Sequence, residues 1–207
     1  MRLMATETLE KLFGGAGKVK LIKLFIFNPE SAFDLKDVSE RAKVSKEMAR
    51  RECNGLLKMK LIKTKSFFKS IKSKKKPAVK KRVGGWALNR DFRYLEPLEE
   101  FLGAVNPFKD NKIVSRISRA GKIQLLLLTG IFIKNPESRI DLLIVGDSMK
   151  KNVLENAIKT IESEIGREIK YALFDTKTFQ YRYYMFDKLV RDILDYPHRK
   201  IINKLNL

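Results

Sequence analysis

From Lys63 to Arg82 the chain carries ten basic residues and no acidic one: Lys63, Lys65, Lys69, Lys72, Lys74, Lys75, Lys76, Lys80, Lys81 and Arg82. So dense a run of like charge repels itself, so it belongs at a surface and is at ease only beside an anion. Before it, Leu61-Ile62-Lys63-Thr64-Lys65-Ser66-Phe67-Phe68 reads as a strand. After it, Gly84 and Gly85 lead into Trp86-Ala87-Leu88, with Gly85 to Leu88 as the returning strand. The expectation is a hairpin whose loop is crowded with lysine.

The chain of 207 residues has a net charge of +20, from 44 Lys and Arg against 24 Asp and Glu. Residues 1–106 hold 25 against 12, a net +13, and residues 107–207 hold 19 against 12, a net +7. Such an excess favours a polyanion, either nucleic acid or an anionic membrane surface, although solubility alone also raises charge. The basic run lacks an interleaved apolar face, which argues against the membrane surface. At 44% hydrophobic and 33% charged the composition is globular. Cys53 is the only cysteine, so no internal disulfide forms, and its mid-helix place predicts a buried, inert thiol. His198 is the only histidine, so no His/Cys metal site and no cofactor are expected. No signal peptide is visible, and the longest apolar run, Ile123 to Ile133, is broken by Gln124, Thr129 and Gly130. A cytoplasmic location is expected.

Thr6 to Phe13 has helical spacing, with Leu9, Leu12 and Phe13 apolar, and Gly14-Gly15-Ala16-Gly17 ends it. A glycine cluster before Lys18 invites a phosphate-loop reading, but the full pattern and a preceding strand are missing. Lys18 to Phe27 follows as a helix with Val19, Leu21, Ile22, Phe25 and Ile26 on a broad apolar stripe, stopped at Asn28-Pro29. Asp34 caps the next helix, Leu35 to Ala42, with Asp37 three residues on and Val38 and Ala42 inward.

After a turn at Lys43-Val44, Ser45 caps a helix from Lys46 to Met59. Met48, Cys53, Leu56 and Leu57 form its expected inner side. Ser45, Lys46, Ala49, Arg50 and Asn54 form the outer side. Arginine reads guanine, asparagine reads adenine, and serine or lysine holds phosphate. A merely solvated helix face has the same residues. What separates the two readings is the order helix, turn, helix, hairpin, which is that of a winged helix-turn-helix. The expected partner is double-stranded DNA. Ser45, Lys46, Arg50, Arg51 and Asn54 would lie in the major groove, with Lys72, Lys74, Lys75, Lys76, Lys80, Lys81 and Arg82 on the backbone. With about six phosphate contacts, affinity falls with salt at a log–log slope of about −5. Trp86 either stacks on a base or packs on its own core. Arg93 to Val105 reads as a linking helix with Leu95, Leu98, Phe101 and Leu102 on one side, the expected seam of a homodimer. Asn106-Pro107 marks the boundary, giving domains at 1–106 and 107–207.

In the second half, a short helix from Lys112 to Ala120 precedes a strand at Lys122 to Leu128. Strands at Ile140 to Val145 and Ile169 to Phe174 bracket a helix from Val153 to Ile165 with Leu154, Ala157, Ile158 and Ile161 inward. Thr178 to Tyr184 and Asp187 to Leu194 are helical. Strands alternating with helices imply an α/β layer. Strand, turn at Gly130-Ile131, then Ser138-Arg139-Ile140-Asp141 on the next strand resembles the minimal nucleotidyltransferases. That family has Gly-Ser at the turn and Ser-Asp-x-Asp on the strand, with carboxylates holding two magnesium ions. Here Ile131 stands for the serine and Arg139 for the first aspartate. Only Asp141 remains of the pair, and Lys170, Ala172 and Phe174 offer no carboxylate on the neighbouring strand.

With Leu9 to Phe13 before the basic helix, Gly166 to Ile169 and Asp192 to Asp195, the whole chain resembles prokaryotic regulators that fuse an ArsR-like winged helix to a nucleotidyltransferase-like domain. The resemblance implies an α+β chain, an N-terminal winged helix-turn-helix plus a C-terminal α/β nucleotidyltransferase-like domain with a small mixed sheet. It implies a transcriptional regulator with an inactive, metal-free site at Gly130, Ile131, Arg139 and Asp141. Two alternatives stay open: an active nucleotidyltransferase modifying a protein or RNA, and a cleft that binds a nucleotide or protein without catalysis, Arg139 meeting the anion.

Overall fold

The computed structural model describes residues 5–73, 76–104, 110–135 and 137–207, with side chains from residue 7 onward except over 71–78. The chain is mixed α+β with small sheets. By contact it divides into two units, Met1–Pro107 with Thr160–Arg167, and Phe108–Lys159 with Glu168–Leu207. The expected boundary at Asn106-Pro107 lies outside the described residues, and no sequence signal marks Thr160–Arg167 as part of the first unit.

The first unit contains α1 (Ala5–Phe13), α2 (Ala16–Ile26), β1 (Ala32–Phe33), α3 (Leu35–Ala42), α4 (Lys46–Lys58), β2 (Ile62–Ser73), β3 (Lys76–Leu88) and α5 (Leu95–Ala104). Its core is organised on α2, where Val19, Leu21, Ile22, Leu24, Phe25 and Ile26 are all buried. A helix apolar on most of its circumference must be covered on most sides, and α1, α3, α4, α5 and β3 all contact it. Lys23 is buried among them, donating to the Glu164 carbonyl at 3.3 Å. Burial pushes its ammonium below the ordinary value, against the pull of Glu164 and Glu10. Asn28 joins the same segments, its amide donating to the carbonyls of Leu24 (2.7 Å) and Gly166 (2.6 Å).

The turn between α3 and α4 is built as its residues dictate. Asp34 accepts from the Asp37 N–H at 2.8 Å while its own N–H donates to Asp37 at 3.3 Å, closing a capping box. Lys43 takes the left-handed conformation, φ 50°. The Val44 N–H then returns to the Ser39 carbonyl (3.1 Å), and the Ser39 hydroxyl donates to the Val44 carbonyl (2.7 Å). Ser45 caps α4 by accepting from the Met48 N–H.

The expected lysine loop is instead mostly sheet. β2 and β3 pair antiparallel from Ile62↔Leu88 to Ser73↔Lys76, with one register shift between Ile71 and Ser73. The pairing runs well beyond the apolar ends that mark a strand in the sequence. A two-residue strand, β1, completes the sheet in the order β1-β3-β2, with Phe33 opposite Trp86. Trp86 is half-buried and packs against the core.

In the second unit, α6 (Asp110–Ile117) leads to β4 (Lys122–Leu128) and β5 (Leu142–Asp147). Then come α7 (Lys151–Ile165), whose residues from Thr160 onward count with the first unit, and β6 (Tyr171–Phe174), α8 (Thr176–Tyr184), α9 (Lys188–Asp195) and β7 (Arg199–Asn203). The strand order is β6-β5-β4-β7. Only β5 and β6 run parallel, and the long connection through α7 is what a parallel pair needs. Phe179 of α8 and Val190 and Ile193 of α9 pack over Leu125, Leu127, Leu143 and Val145. Among the described residues no helix is long and apolar enough to cross a membrane.

At the Phe33↔Trp86 pairing the chain passes very close to Gly85. A Cβ there would collide with the Phe33 carbonyl, whereas one on Gly84 would meet nothing within 4 Å. Gly85→Ala should therefore cost about 1–3 kcal/mol, and Gly84→Ala should be neutral or gain about 0.5 kcal/mol. Equilibrium denaturation of both variants checks the pair, and equal effects would contradict it.

Candidate nucleic-acid interface

The outward side of α4 is a stripe at i, i+4 spacing. Lys46, Arg50 and Asn54 are exposed in sequence along it, with Ser45 at the N-terminus. Ala49, expected on this side, is 0% exposed and belongs to the inner side with Cys53 and Leu56. A small residue near α2 lets the helices approach, and Gly17 of α2 does the same, since a Cβ there would crowd the Met48 sulfur. Cys53 is buried, and desolvation, with a smaller push from Glu52, drives its thiol up to about 12. Arg51 is exposed but turned along the helix, its guanidinium on the Glu52 carboxylate at 3.0 Å. Glu47, which the sequence reading passes over, is exposed on the first turn. Its own N–H and the Ser45 hydroxyl hold its carboxyl below the ordinary value.

The ribbon has two unlike faces because side chains alternate along a strand. Opposite pairs Ser66↔Gly84, Phe68↔Arg82 and Ser70↔Lys80 occupy one face, and all six residues are exposed. Phe67↔Val83 and Lys69↔Lys81 occupy the other. The expected cations Lys80, Lys81 and Arg82 are therefore split: Lys80 and Arg82 stand together, and Lys81 points away from them. Lys74 and Lys75 lie outside the described residues, and Lys72 and Lys76 are described in their backbone alone.

Lys69 does not face solvent as a free cation. Its ammonium donates to Asp34 Oδ2 at 2.8 Å and to Asp37 Oδ1 at 2.6 Å, fastening β2 to the start of α3. Burial pushes the Asp34 carboxyl up, but the Lys69 ammonium and the Asp37 N–H outweigh it and leave the group below its ordinary 3.8. Burial likewise pushes Lys69 down, and the two carboxylates outweigh it, raising the ammonium above 10.5.

In the second unit the residues at the transferase-like positions serve one another. Asp141 is 7% exposed. Its Oδ1 accepts from the Ile131 N–H and its Oδ2 from the Lys170 N–H, both at 2.9 Å. Gly130 sits at φ +51°, and a Cβ there would collide with Asp141 Oδ1. Ser138 donates to the Ile140 carbonyl at 2.7 Å, and Thr129 donates to the same oxygen. Arg139, which meets an anionic ligand in one of the alternative readings, pairs with Asp192 of α9 at 2.9 Å. Asp147, at the end of β5, accepts from the N–H and hydroxyl of Thr176. An open hollow of about 450 Å³ lies along the following loop, lined by Ile133, Lys134, Asn135, Glu137, Pro197 and His198. Gly130, Ile131, Arg139 and Asp141 are not among its lining residues. Among the described residues no group of three or more His, Cys, Asp or Glu could hold a metal ion.

Lys69→Met leaves Asp34 and Asp37 facing each other without their cation, and should cost about 1–3 kcal/mol near neutral pH. Asp34, with its lowered carboxyl, adds stability above 3.8 that is lost as pH falls through its folded value. Lys69, with its raised ammonium, adds stability below 10.5 that is lost as pH rises through its folded value. The gap between wild type and Lys69→Met should thus be widest between those limits and close in acid. Urea denaturation across pH measures it, and a gap that persists in strong acid would contradict the pairing.

Compared with models of protein families, with curated proteins and with solved structures, the chain matches none.

Proposed function

We propose that the chain is a cytoplasmic transcriptional regulator that binds double-stranded DNA through a winged helix-turn-helix. In this reading α4 is the recognition helix in the major groove and the β2–β3 ribbon is the wing on the backbone. One observation carries it: the stripe Lys46, Arg50 and Asn54 is exposed on a helix whose opposite side buries Ala49, Cys53 and Leu56, and the ribbon that follows it in the chain bears the exposed Lys80 and Arg82. A helix fits the major groove, and its guanidinium and amide carry the donors and acceptors that discriminate bases. The wing cations supply the salt-dependent phosphate term. Glu47 adds an acceptor suited to a cytosine amino group and unsuited to phosphate. The protein is proposed to act as a homodimer. Leu95, Leu98 and Leu102 of α5 pack against their own core, so a second copy would meet the exposed Phe101 and Leu12 rather than the whole stripe.

The second unit is proposed to be a nucleotidyltransferase-like fold without catalysis. Asp141, the one carboxylate matching the family pattern, has each oxygen on a main-chain N–H, and Arg139 would repel a metal. The competing reading, an active transferase, draws on the match at Gly130 and Asp141. Asp141→Asn sets an amide group against a main-chain N–H and should destabilise by about 1–3 kcal/mol. Labelled ATP with magnesium and candidate protein or RNA acceptors should give no transfer. Turnover that Asp141→Ala abolishes in a folded protein would establish the competing reading.

The DNA reading is tested by selecting duplexes from a random pool and titrating them by fluorescence anisotropy across salt. Arg50→Ala should relax preference at one base position at a cost of about 1–3 kcal/mol. Replacing Lys80 and Arg82, which share one face of the ribbon, by glutamine should weaken all duplexes alike and make the salt slope shallower by about 2. Equal loss of affinity and discrimination in both variants contradicts the division between helix and wing.

A further inference from the structure

The pairing register separates two adjacent phenylalanines that the sequence leaves equivalent. Phe67 is half-buried, within reach of Gly85. Phe68 turns outward and is 73% exposed. A single exposed phenyl ring needs no explanation by itself. What sets this one apart is its neighbours on the same face. Along β2 they are Ser66 and Ser70, and across on β3 they are Arg82 directly opposite with Gly84 and Lys80 diagonally placed. Serines flank the ring along its own strand, and the space over Gly84 is open. The cations lie at its base, where they would meet a polyanion once the ring was inserted.

We infer that Phe68 is a wedge that enters a base step of duplex DNA from the minor groove and bends it. The inference rests on the DNA-binding reading and extends it to the shape of the bound duplex. β-Ribbons can lie along the minor groove, and one ring with small neighbours can reach from there to the base steps. Apolar side chains inserted between base pairs partly unstack them and kink the duplex toward the major groove. Arg82 and Lys80, flanking the ring, meet the phosphates beside the opened step, so insertion and neutralisation occur together. The kink falls most readily at flexible pyrimidine–purine steps, which gives the wing a sequence preference through deformability without hydrogen bonds to bases.

Ring closure tests this with the full chain. The probe is a mixed-sequence duplex of about 120 base pairs with cohesive ends, shorter than the persistence length of about 150 base pairs and therefore slow to circularise alone. DNA ligase is added at protein concentrations giving equal occupancy by gel shift. Wild type should raise the yield of circles severalfold over naked DNA. Phe68→Ala should bind within about tenfold of wild type, since phosphate contacts dominate affinity, yet close no more circles than naked DNA. Phe68→Trp, which keeps a flat apolar ring, should restore closure. An exposed side chain leaves the fold intact when trimmed, and a thermal melt of each variant verifies it.

Wild type that binds the duplex without promoting closure, or Phe68→Ala that closes circles like wild type, overturns the wedge and leaves the DNA-binding reading standing. Wild type that binds no duplex at low salt overturns that reading and the wedge with it. Phe68→Ala that loses single-stranded oligonucleotides while keeping duplex affinity and closure assigns the ring to base stacking instead. A fall in sedimentation coefficient for Phe68→Ala without DNA, with closure unchanged, assigns it to contact between copies.

Discussion

One ammonium holds the shape of the first unit's surface. Two-stranded ribbons are at best marginally stable in water without further support, and this one runs from Ile62 to Leu88 with cations along both strands. Lys69 lies between Asp34 and Asp37, the two residues that also close the capping box of α3. The contact therefore joins three things at once: the start of a helix, the flank of the ribbon and the charge of the run. Carboxylates at a helix N-terminus are already favoured by the dipole, so they are well placed to accept a cation as well. With the Lys69 charge balanced by two carboxylates, Lys81 directly opposite it no longer faces an unscreened like charge. A cation that looks in the sequence like one more phosphate contact is thus the residue that fastens the others in place.

The exposure of the α4 stripe follows from how closely the helix approaches α2. Ala49 and Gly17 are small, and Cys53 and Leu56 complete a narrow inner side. A narrow inner side leaves a wide outer one, and Lys46, Arg50 and Asn54 occupy it. The left-handed residue at Lys43 and the Ser39–Val44 bonds set the angle at which α4 leaves α3. The proposed reading of DNA by α4 depends on these local interactions more than on the identity of any one polar residue.

Periodicity and caps made the helices legible. The stripe of α2, the Asp34–Asp37 box and the Ser45 cap could be placed from residue types because their partners lie within four positions. Where partners are distant or small residues decide, the sequence was silent or misleading. Ala49 has no strong preference for either side of a helix and only its neighbours in space assign it. The ribbon looked like a loop because lysine is a poor strand former and like charges suggest separation, yet backbone pairing with an equally basic partner carries it onward. Strand β7 opens on Arg199 and Lys200, the marks of an edge and not of a buried strand. Phe67 and Phe68 differ only through register, which the sequence does not state. Arg139 finds Asp192 across more than fifty residues, and no local pattern announces such a pair.

Asp141 makes the sharpest case for separating a motif from its chemistry. A carboxylate at the head of an apolar strand, one turn from a glycine, matches the pattern that in nucleotidyltransferases holds magnesium. In this fold the aspartate is held by main-chain N–H groups, and the glycine makes room for it. The carboxylate is almost wholly buried, and burying a charge demands hydrogen bonds. The N–H groups of Ile131 and Lys170 provide them, one for each oxygen. The Ile131 N–H reaches its oxygen through a turn in which Gly130 is left-handed and brings no Cβ against the carboxylate. Glycine and aspartate therefore stand or fall together as a structural pair that ties the end of β4 to the start of β5 and to the residue before β6. A fold can use both halves of such a pattern for its own stability, so their presence in the sequence does not by itself assign them to a reaction.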